Sequence, residues 1–308
     1  MTTKVTRRRF LTISAASMSC AAMPAQALEN VTWIGRAMGA EASLTLAGVP
    51  SNAQARLTFR AVERDLARLE RIFSLYDSGS QIVQLNSAGI LKAPAPELLE
   101  VLNLCGVLNA ASMGAFDPTL QPLWLAYAKA ATQGRVLSQD ERDAACAGVG
   151  WGNLQFDADQ VRFDDPNGGL TLNGIAQGYV TDQIAKLLRR RGFRDILVDM
   201  GEIAVLGKLP SQVGIVTPGG DLVDRITLQN GAIATSAPMG TMLDPEIGLG
   251  HILDARDDKP RPKRKLVSVS ARTAAVADGL STAFCLMARN DIQSCLAQFP
   301  GAKLEVSI

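Results

Sequence analysis

Apolar and polar positions alternate in "WIGRAMGAEASLTLAG", residues 33–48, which predicts a strand pair near the start of the chain. The period then lengthens. Ser51 fits a helix N-cap, and Val62, Leu66, Leu69 and Phe73 recur at helical spacing until "SLYDSGS". A second helix is predicted from about Pro96 to Ala111, with Leu98, Leu102 and Cys105 on one face. "FDPT" breaks the pattern, a helix around "LQPLWLAYAKA" follows, and "LQFDADQVRF" reads as a hairpin. In "GLTLNGIAQGYVTDQIAKLLRRRGFRDILVDMGEIAVLG" a short strand leads into a helix that turns Ile175, Tyr179, Ile184 and Leu187–Leu188 inward. Gly192 stops that helix, and "ILVDMG" reads as a buried strand. "VGIVTP" and "ITLQNGAIATS" add strands, the latter with Asn230-Gly231 as a hairpin turn. "KLVSVSAR" is a strand that feeds the helix "VADGLSTAF", and a short helix and "KLEVSI" close the chain. Strands and helices do not alternate regularly, so a doubly wound parallel sheet is excluded and an α+β fold is expected.

The 308 residues contain no linker rich in Gly, Ser or Pro, no low-complexity run and no repeat. Residues 28–308 therefore read as one domain. The charged run "DARDDKPRPKRK", residues 254–265, reads as a solvated loop. Residues 1–27 differ from the rest. They combine a basic start, a short apolar run and an Ala25-Gln26-Ala27 cleavage pattern. Arg7-Arg8, with Phe10-Leu11 two residues on, fits a twin-arginine export signal, and the expected destination is the periplasm. The apolar run is shorter than the roughly 20 residues that span a bilayer.

Cleavage changes the charge. The chain has 31 basic and 30 acidic residues, and removing Lys4, Arg7, Arg8 and Arg9 leaves 27 against 30, a net of −3. A nucleic-acid binder would show a basic surplus. The remaining cysteines, Cys105, Cys146, Cys285 and Cys295, have no metal-ligand spacing, and three of them fall in apolar helical patterns.

Candidate chemistry sits in a few places. Asp278 and Thr282 stand four apart on one helix face and offer hard oxygen ligands of the kind Mg²⁺ takes. The same pair is also compatible with a purely local role, in which Asp278 caps the helix start and Thr282 bonds back to the helix. His251 is the sole histidine, so it cannot build a multi-His metal site; it fits either a donor to phosphate or acid/base, or a satisfied structural residue. "LNGIAQG" places Gly174 and Gly178 at a strand-to-helix turn, where a backbone can approach a phosphate. Asp117-Pro118 reads as a helix-entry turn, and Tyr76 as an aromatic at a helix end.

Taken in order, "MGAEASLTL", "FSLYDSGSQIVQLNSAG", "GAFDPTLQPL", "LTLNGIAQGYVTDQIAKLL", "ILVDMGEI", "AIATSAP", "GHILDARDD" and "VSVSARTAAVADGLSTAFCLM" resemble the ApbE family of FAD:protein FMN transferases, and most closely its exported NosX-like members. The resemblance spans nearly all of residues 28–308. It implies a single ApbE-type α+β domain with mixed or antiparallel sheets and packed helices. It implies Mg²⁺ held by Asp278, Thr282 and the Gly174 carbonyl, with Asp278 and His251 in the catalytic machinery. It places FAD against Met38, Tyr76, Ala115, Phe116, Asp117, Thr171, Gln177, His251 and Ile252. The implied reaction moves FMN from FAD to a Thr of a target flavoprotein and releases AMP. The implied partner is a NosR-like membrane flavoprotein, met at its periplasmic face during nitrous oxide reductase maturation. Departures from the family pattern are also visible. Thr171 stands for an Asp, Asn173 for a Ser, Gln177 for a Lys and Ala237 for a Gly, and "HILDARDDK" lacks the usual Pro and Gly. Gln177 brings one positive charge fewer toward the FAD phosphates. The remaining readings are an exported FAD-binding or FAD-hydrolysing protein and a non-catalytic assembly factor with the same fold.

The export reading is tested by changing Arg7 and Arg8 together to Lys. The precursor is expected to stay in the cytoplasm, because the paired guanidinium groups are what the pathway reads. Undiminished arrival of the double variant in the periplasm, followed by fractionation and immunoblotting, would refute it.

Overall fold

A computed structural model describes residues 30–49, 51–245, 247–256 and 262–308. The export signal, residues 1–27, and the middle of the charged run, residues 257–261, lie outside the described residues.

Strand β1 (Val31–Ala37) returns on β2 (Ala40–Leu46) through Met38 and Gly39, both at positive φ, 51° and 83°. Ser51 then caps α1 (Asn52–Phe73), its side chain accepting from the Gln54 N–H. The apolar stripe of α1 buries Val62, Leu66, Leu69 and Phe73, as the spacing predicts. Next come α2 (Gln81–Ala88), β3 (Ile90–Lys92), α3 (Pro96–Ala111), α4 (Gln121–Thr132) and α5 (Gln139–Cys146). The hairpin of β4 (Leu154–Phe156) and β5 (Gln160–Phe163) pairs with β3 in a small sheet. Helix α6 (Ala176–Arg190) ends at Gly192, at φ 92°, and leads to β6 (Ile196–Asp199) and β7 (Ile203–Leu206). β8 (Ser211–Val216) and β9 (Leu222–Leu228) form a separate hairpin, and β10 (Gly231–Ser236), β11 (Met242–Asp244) and β12 (Leu249–Gly250) follow. β13 (Val267–Ala271), α7 (Ala274–Phe284), α8 (Arg289–Leu296) and β14 (Lys303–Ser307) complete the chain.

Seven strands make the main sheet in the order β1-β2-β6-β7-β10-β13-β14. Every ladder among the described residues is antiparallel, so the fold is α+β as expected. One core joins Leu44, Leu46, Val198 and Val269 of the sheet to Leu69, Leu102, Ile184, Leu280 and Phe284 of the helices. A second cluster, Leu197, Ile203, Val205 and Ile233, packs beneath Val213, Ile215 and Leu228 of the β8–β9 hairpin. Helices thus cover one face of the sheet and the hairpin covers part of the other. Cys105, Cys285 and Cys295 are buried in this packing, consistent with their apolar contexts.

Three local expectations change. Residues 168–172 form no ladder and run as an extended loop rather than a strand. Asn230-Gly231 does not close a hairpin. β9 pairs with β8, whereas β10 pairs with β7 and β13, so the turn is a corner between two sheets. Asn230 sits at φ 48° and its side-chain carbonyl accepts from the Gly207 N–H at 2.9 Å, which fixes that corner. The charged run 254–265 is not solvated throughout. Asp254 is buried and ion-paired with Arg256, and Arg264 donates to the Phe284 and Met287 carbonyls.

The feature that positions the site is the contact between α6 and α7. A Cβ built on Gly178 would stand 2.4 Å from the Ala274 carbonyl oxygen. Only a glycine lets the two helices approach this closely.

Candidate active site

Helix α7 starts at Thr273, whose side chain makes no capping bond. The cap comes from α6 instead: Asp182 accepts from the Ala274 N–H at 2.8 Å and the Ala275 N–H at 2.9 Å. Helix α6 likewise starts at Ile175 without a side-chain cap of its own. Asp278 of α7 accepts from the Gly178 N–H, in the first turn of α6, at 3.1 Å. Each helix therefore presents a carboxylate to the N-terminal turn of the other, where unsatisfied N–H groups and the helix dipole favour negative charge. This excludes the local reading of Asp278 as a cap of its own helix. Asp278 lies in the second turn of α7, 4% exposed, and caps a neighbour.

Thr282 is one turn further along. A Cβ on Gly174 would lie 3.0 Å from both the Thr282 methyl and its hydroxyl oxygen, so the backbone of residue 174 rests on Thr282. Ser281 does bond back to this helix, its hydroxyl donating to the Asp278 carbonyl at 3.0 Å. The Thr282 hydroxyl oxygen is instead 3.3 Å from that of Ser236, at the end of β10. The resemblance groups Gly174, Asp278 and Thr282; in the fold Gly174 rests on Thr282, and Asp278 bonds the Gly178 N–H four residues further on.

The loop before α6 is held from two sides. Asn86 of α2 accepts from the Leu170 N–H at 2.7 Å and donates to the Leu170 carbonyl at 2.9 Å. The Thr171 N–H donates to the Pro118 carbonyl at 2.8 Å, which sets Thr171 beside Asp117. Asp117 itself caps a short turn, accepting from the Thr119 N–H at 2.8 Å, and burial pushes its carboxyl above the usual range. Ala115 and Phe116 are buried, with the Phe116 carbonyl bonded by Asn109. Met38 and Tyr76 flank the C-terminal end of α1. The Met38 N–H donates to Glu70, and the Tyr76 ring is 62% exposed. Phe73 packs edge-on against Tyr179, at 5.5 Å between ring centres, and ties this end of α1 to the first turns of α6.

Gln177 turns toward the β6–β7 connection. It covers Gly201, at φ 103°, where a Cβ would meet the Gln177 amide nitrogen at 2.6 Å. His251 follows β12, and its N–H bonds to the Pro238 and Thr241 carbonyls. Its Nδ1 lies 3.3 Å from the Thr241 carbonyl oxygen. Burial lowers its pKa, which keeps the ring neutral at pH 7. Pro238 is two residues beyond Ser236, so His251 is fastened to the strand end that touches Thr282. Ile252, beside it, is buried.

Sequence reasoning missed Asn86 and Asp182. Asn86 gives no signal by spacing. Asp182 is a carboxylate four residues after Gly178 on a helix face with buried neighbours, a pattern that can be searched for.

The charges here are unusual. Burial, with the nearby Asp182 charge and against the Gly178 N–H, pushes Asp278 up to about 7. Burial brings Asp182 and Asp199 each to about 6. Glu202 is raised well above its ordinary value by burial and by the charges of Asp278 and Asp199. Among the described residues no Lys or Arg pairs with Asp278, and no three His, Cys, Asp or Glu side chains converge as a metal cluster. A buried carboxylate next to a hydroxyl and a backbone turn still suits Mg²⁺, a hard ion that usually keeps several waters and takes few protein ligands.

The ApbE family pattern matches residues 38–306. A FAD:protein FMN transferase of Vibrio cholerae is 26% identical over 277 residues, covering 84% of this chain and 82% of the relative. One from Escherichia coli K12 is 25% identical over 305 residues, covering 92% and 86%. The ApbE protein of Thermotoga maritima superposes with a TM-score of 0.77 at 26% identity, covering 90% of this chain and 93% of that one.

The raised carboxylates set a pH dependence. Asp182, Asp199, Glu202 and Asp278 hold protons more tightly folded than unfolded, so their contribution to stability is complete below about pH 4 and is lost as pH rises through about 6 to 7. His251, lowered, acts in the opposite sense as one group against four. Metal-free protein is expected to melt at a lower temperature at pH 8 than at pH 5, and Glu202→Gln to shrink that difference. Equal melting temperatures at the two pH values in scanning calorimetry would contradict this electrostatic account.

Proposed function

The chain belongs to the ApbE family, and we propose on that premise that it is an FAD:protein FMN transferase. The observation that supports the reading best is the α6–α7 crossing, in which Asp278 bonds the Gly178 N–H and Thr282 lies against Gly174. The FAD pyrophosphate would lie beside the start of α6, where the helix dipole favours negative charge. Asp278, Thr282 and the Gly174 carbonyl would hold Mg²⁺, which neutralises the pyrophosphate and polarises the phosphorus under attack. Met38, Tyr76, Ala115, Phe116, Asp117, Thr171, Gln177 and Ile252 are the residues we assign to FAD. His251 accepts the proton of the acceptor hydroxyl. The acceptor oxygen forms the new bond to the FMN phosphorus, the bridging P–O bond breaks, and AMP leaves with the bridging oxygen. Orientation of the two reactants and stabilisation of charge at phosphorus do most of the catalytic work in such a transfer.

The finer assignments rest on the sequence. The twin-arginine segment supports action in the periplasm. The likeness to NosX-type members supports a threonine acceptor on a NosR-like membrane flavoprotein and a role in nitrous oxide reductase maturation.

Mature protein, FAD, Mg²⁺ and acceptor are expected to give a fluorescent flavin band on a denaturing gel. Asp278→Ala should abolish the band. Thr282→Ala should weaken it less, because a neutral ligand is lost rather than a charged one. FMN and AMP without a band would identify a FAD hydrolase. Absence of both products and band would favour the assembly-factor reading.

A further inference from the structure

Three hydroxyls meet where β10 ends against α7. The Ser236 oxygen is 2.7 Å from that of Ser281 and 3.3 Å from that of Thr282. The Ser281 oxygen is also 3.0 Å from the Asp278 carbonyl, an atom that can only accept. A hydroxyl has one proton to give and two lone pairs to offer. Ser281 gives its proton to the Asp278 carbonyl, so it must accept from Ser236. Ser236 has then given its only proton, so it must accept from Thr282. The chain has one polarity: Thr282 to Ser236 to Ser281 to the backbone of Asp278.

That polarity matters at Thr282. A hydroxyl ligates a cation through a lone pair and needs its proton directed elsewhere. Ser236 draws the Thr282 proton toward β10, which leaves the Thr282 lone pairs for the side where Gly174 rests. Ser281 is fully buried, so water does not compete for the relay at its inner end. We propose that Ser236 is a positioning residue that, through this hydroxyl relay, orients Thr282 as a ligand for a divalent cation. The proposal rests on the metal reading of Asp278 and Thr282 given above.

Mn²⁺ binding to the mature protein at saturating FAD, followed by the electron paramagnetic resonance of the free ion, tests it. Residues that orient metal ligands typically contribute about tenfold or more to affinity. Ser236→Ala is expected to weaken Mn²⁺ binding by about tenfold. Ser236→Thr, which keeps the hydroxyl, should stay near the parent. Ser281→Ala breaks the relay at its next link and should also weaken binding. In a Thr282→Val background Ser236→Ala should cause no further loss, because its effect passes through the Thr282 hydroxyl. Unchanged affinity in Ser236→Ala, or an equal loss with and without the Thr282 hydroxyl, overturns the relay. Asp278→Ala separates this from the underlying reading. Parent-like Mn²⁺ binding in Asp278→Ala removes the metal site itself, whereas loss there with intact binding in Ser236→Ala removes the relay alone.

Discussion

Two carboxylates, each seated at the start of the other's helix, hold α6 and α7 together. Asp182 bonds two N–H groups of α7, and Asp278 bonds one of α6. Hydrogen bonds to a charged group contribute about 1.5–3 kcal/mol each, and the helix dipoles add to that. Both acids are mostly out of water, so losing either partner would leave a buried charge or buried N–H groups unsatisfied. The close approach also constrains the sequence elsewhere. Gly178 has no room for a side chain against Ala274, and Gly174 has almost none against Thr282. The position of every proposed ligand follows from this crossing.

The clasp leaves Asp278 with too little positive charge around it. One N–H opposes its burial, while Asp182 lies close enough to raise its pKa further. Asp199 and Glu202, also raised by burial, put two more acids near the first turn of α6. Buried acids crowded in this way keep protons to higher pH than they would in water. Binding a pyrophosphate with its metal, and moving a proton from an incoming hydroxyl, are consistent demands on one set of residues.

Much of this was legible in the sequence, for identifiable reasons. The stripe Val62, Leu66, Leu69 and Phe73 has one period throughout, and α1 follows it. The four-residue spacing of Asp278 and Thr282 survives any tertiary arrangement, because a helix fixes it. Other features depend on partners remote in the chain. Asn230-Gly231 has the composition of a hairpin turn, but the pairing of β10 with β7 and β13 makes it a corner. Leu170–Leu172 alternates like a strand, yet Asn86 and Pro118 take up its backbone groups before a ladder can form. Whether Asp278 capped the start of its own helix was open in the sequence, since only the placement of α6 decides it. Gln177 shows the same limit: its residue type says that a charge is missing, while the cover it gives Gly201 appears only in the fold.

We propose that the α6–α7 crossing builds one divalent cation site at Asp278. Anomalous diffraction from crystals grown with Mn²⁺ and FAD tests it most directly. The expected result is a manganese peak within about 2.3 Å of an Asp278 carboxylate oxygen, with Thr282 and the Gly174 carbonyl completing the protein ligands. FAD bound at the start of α6 with no manganese at Asp278, or with manganese held elsewhere, would contradict it.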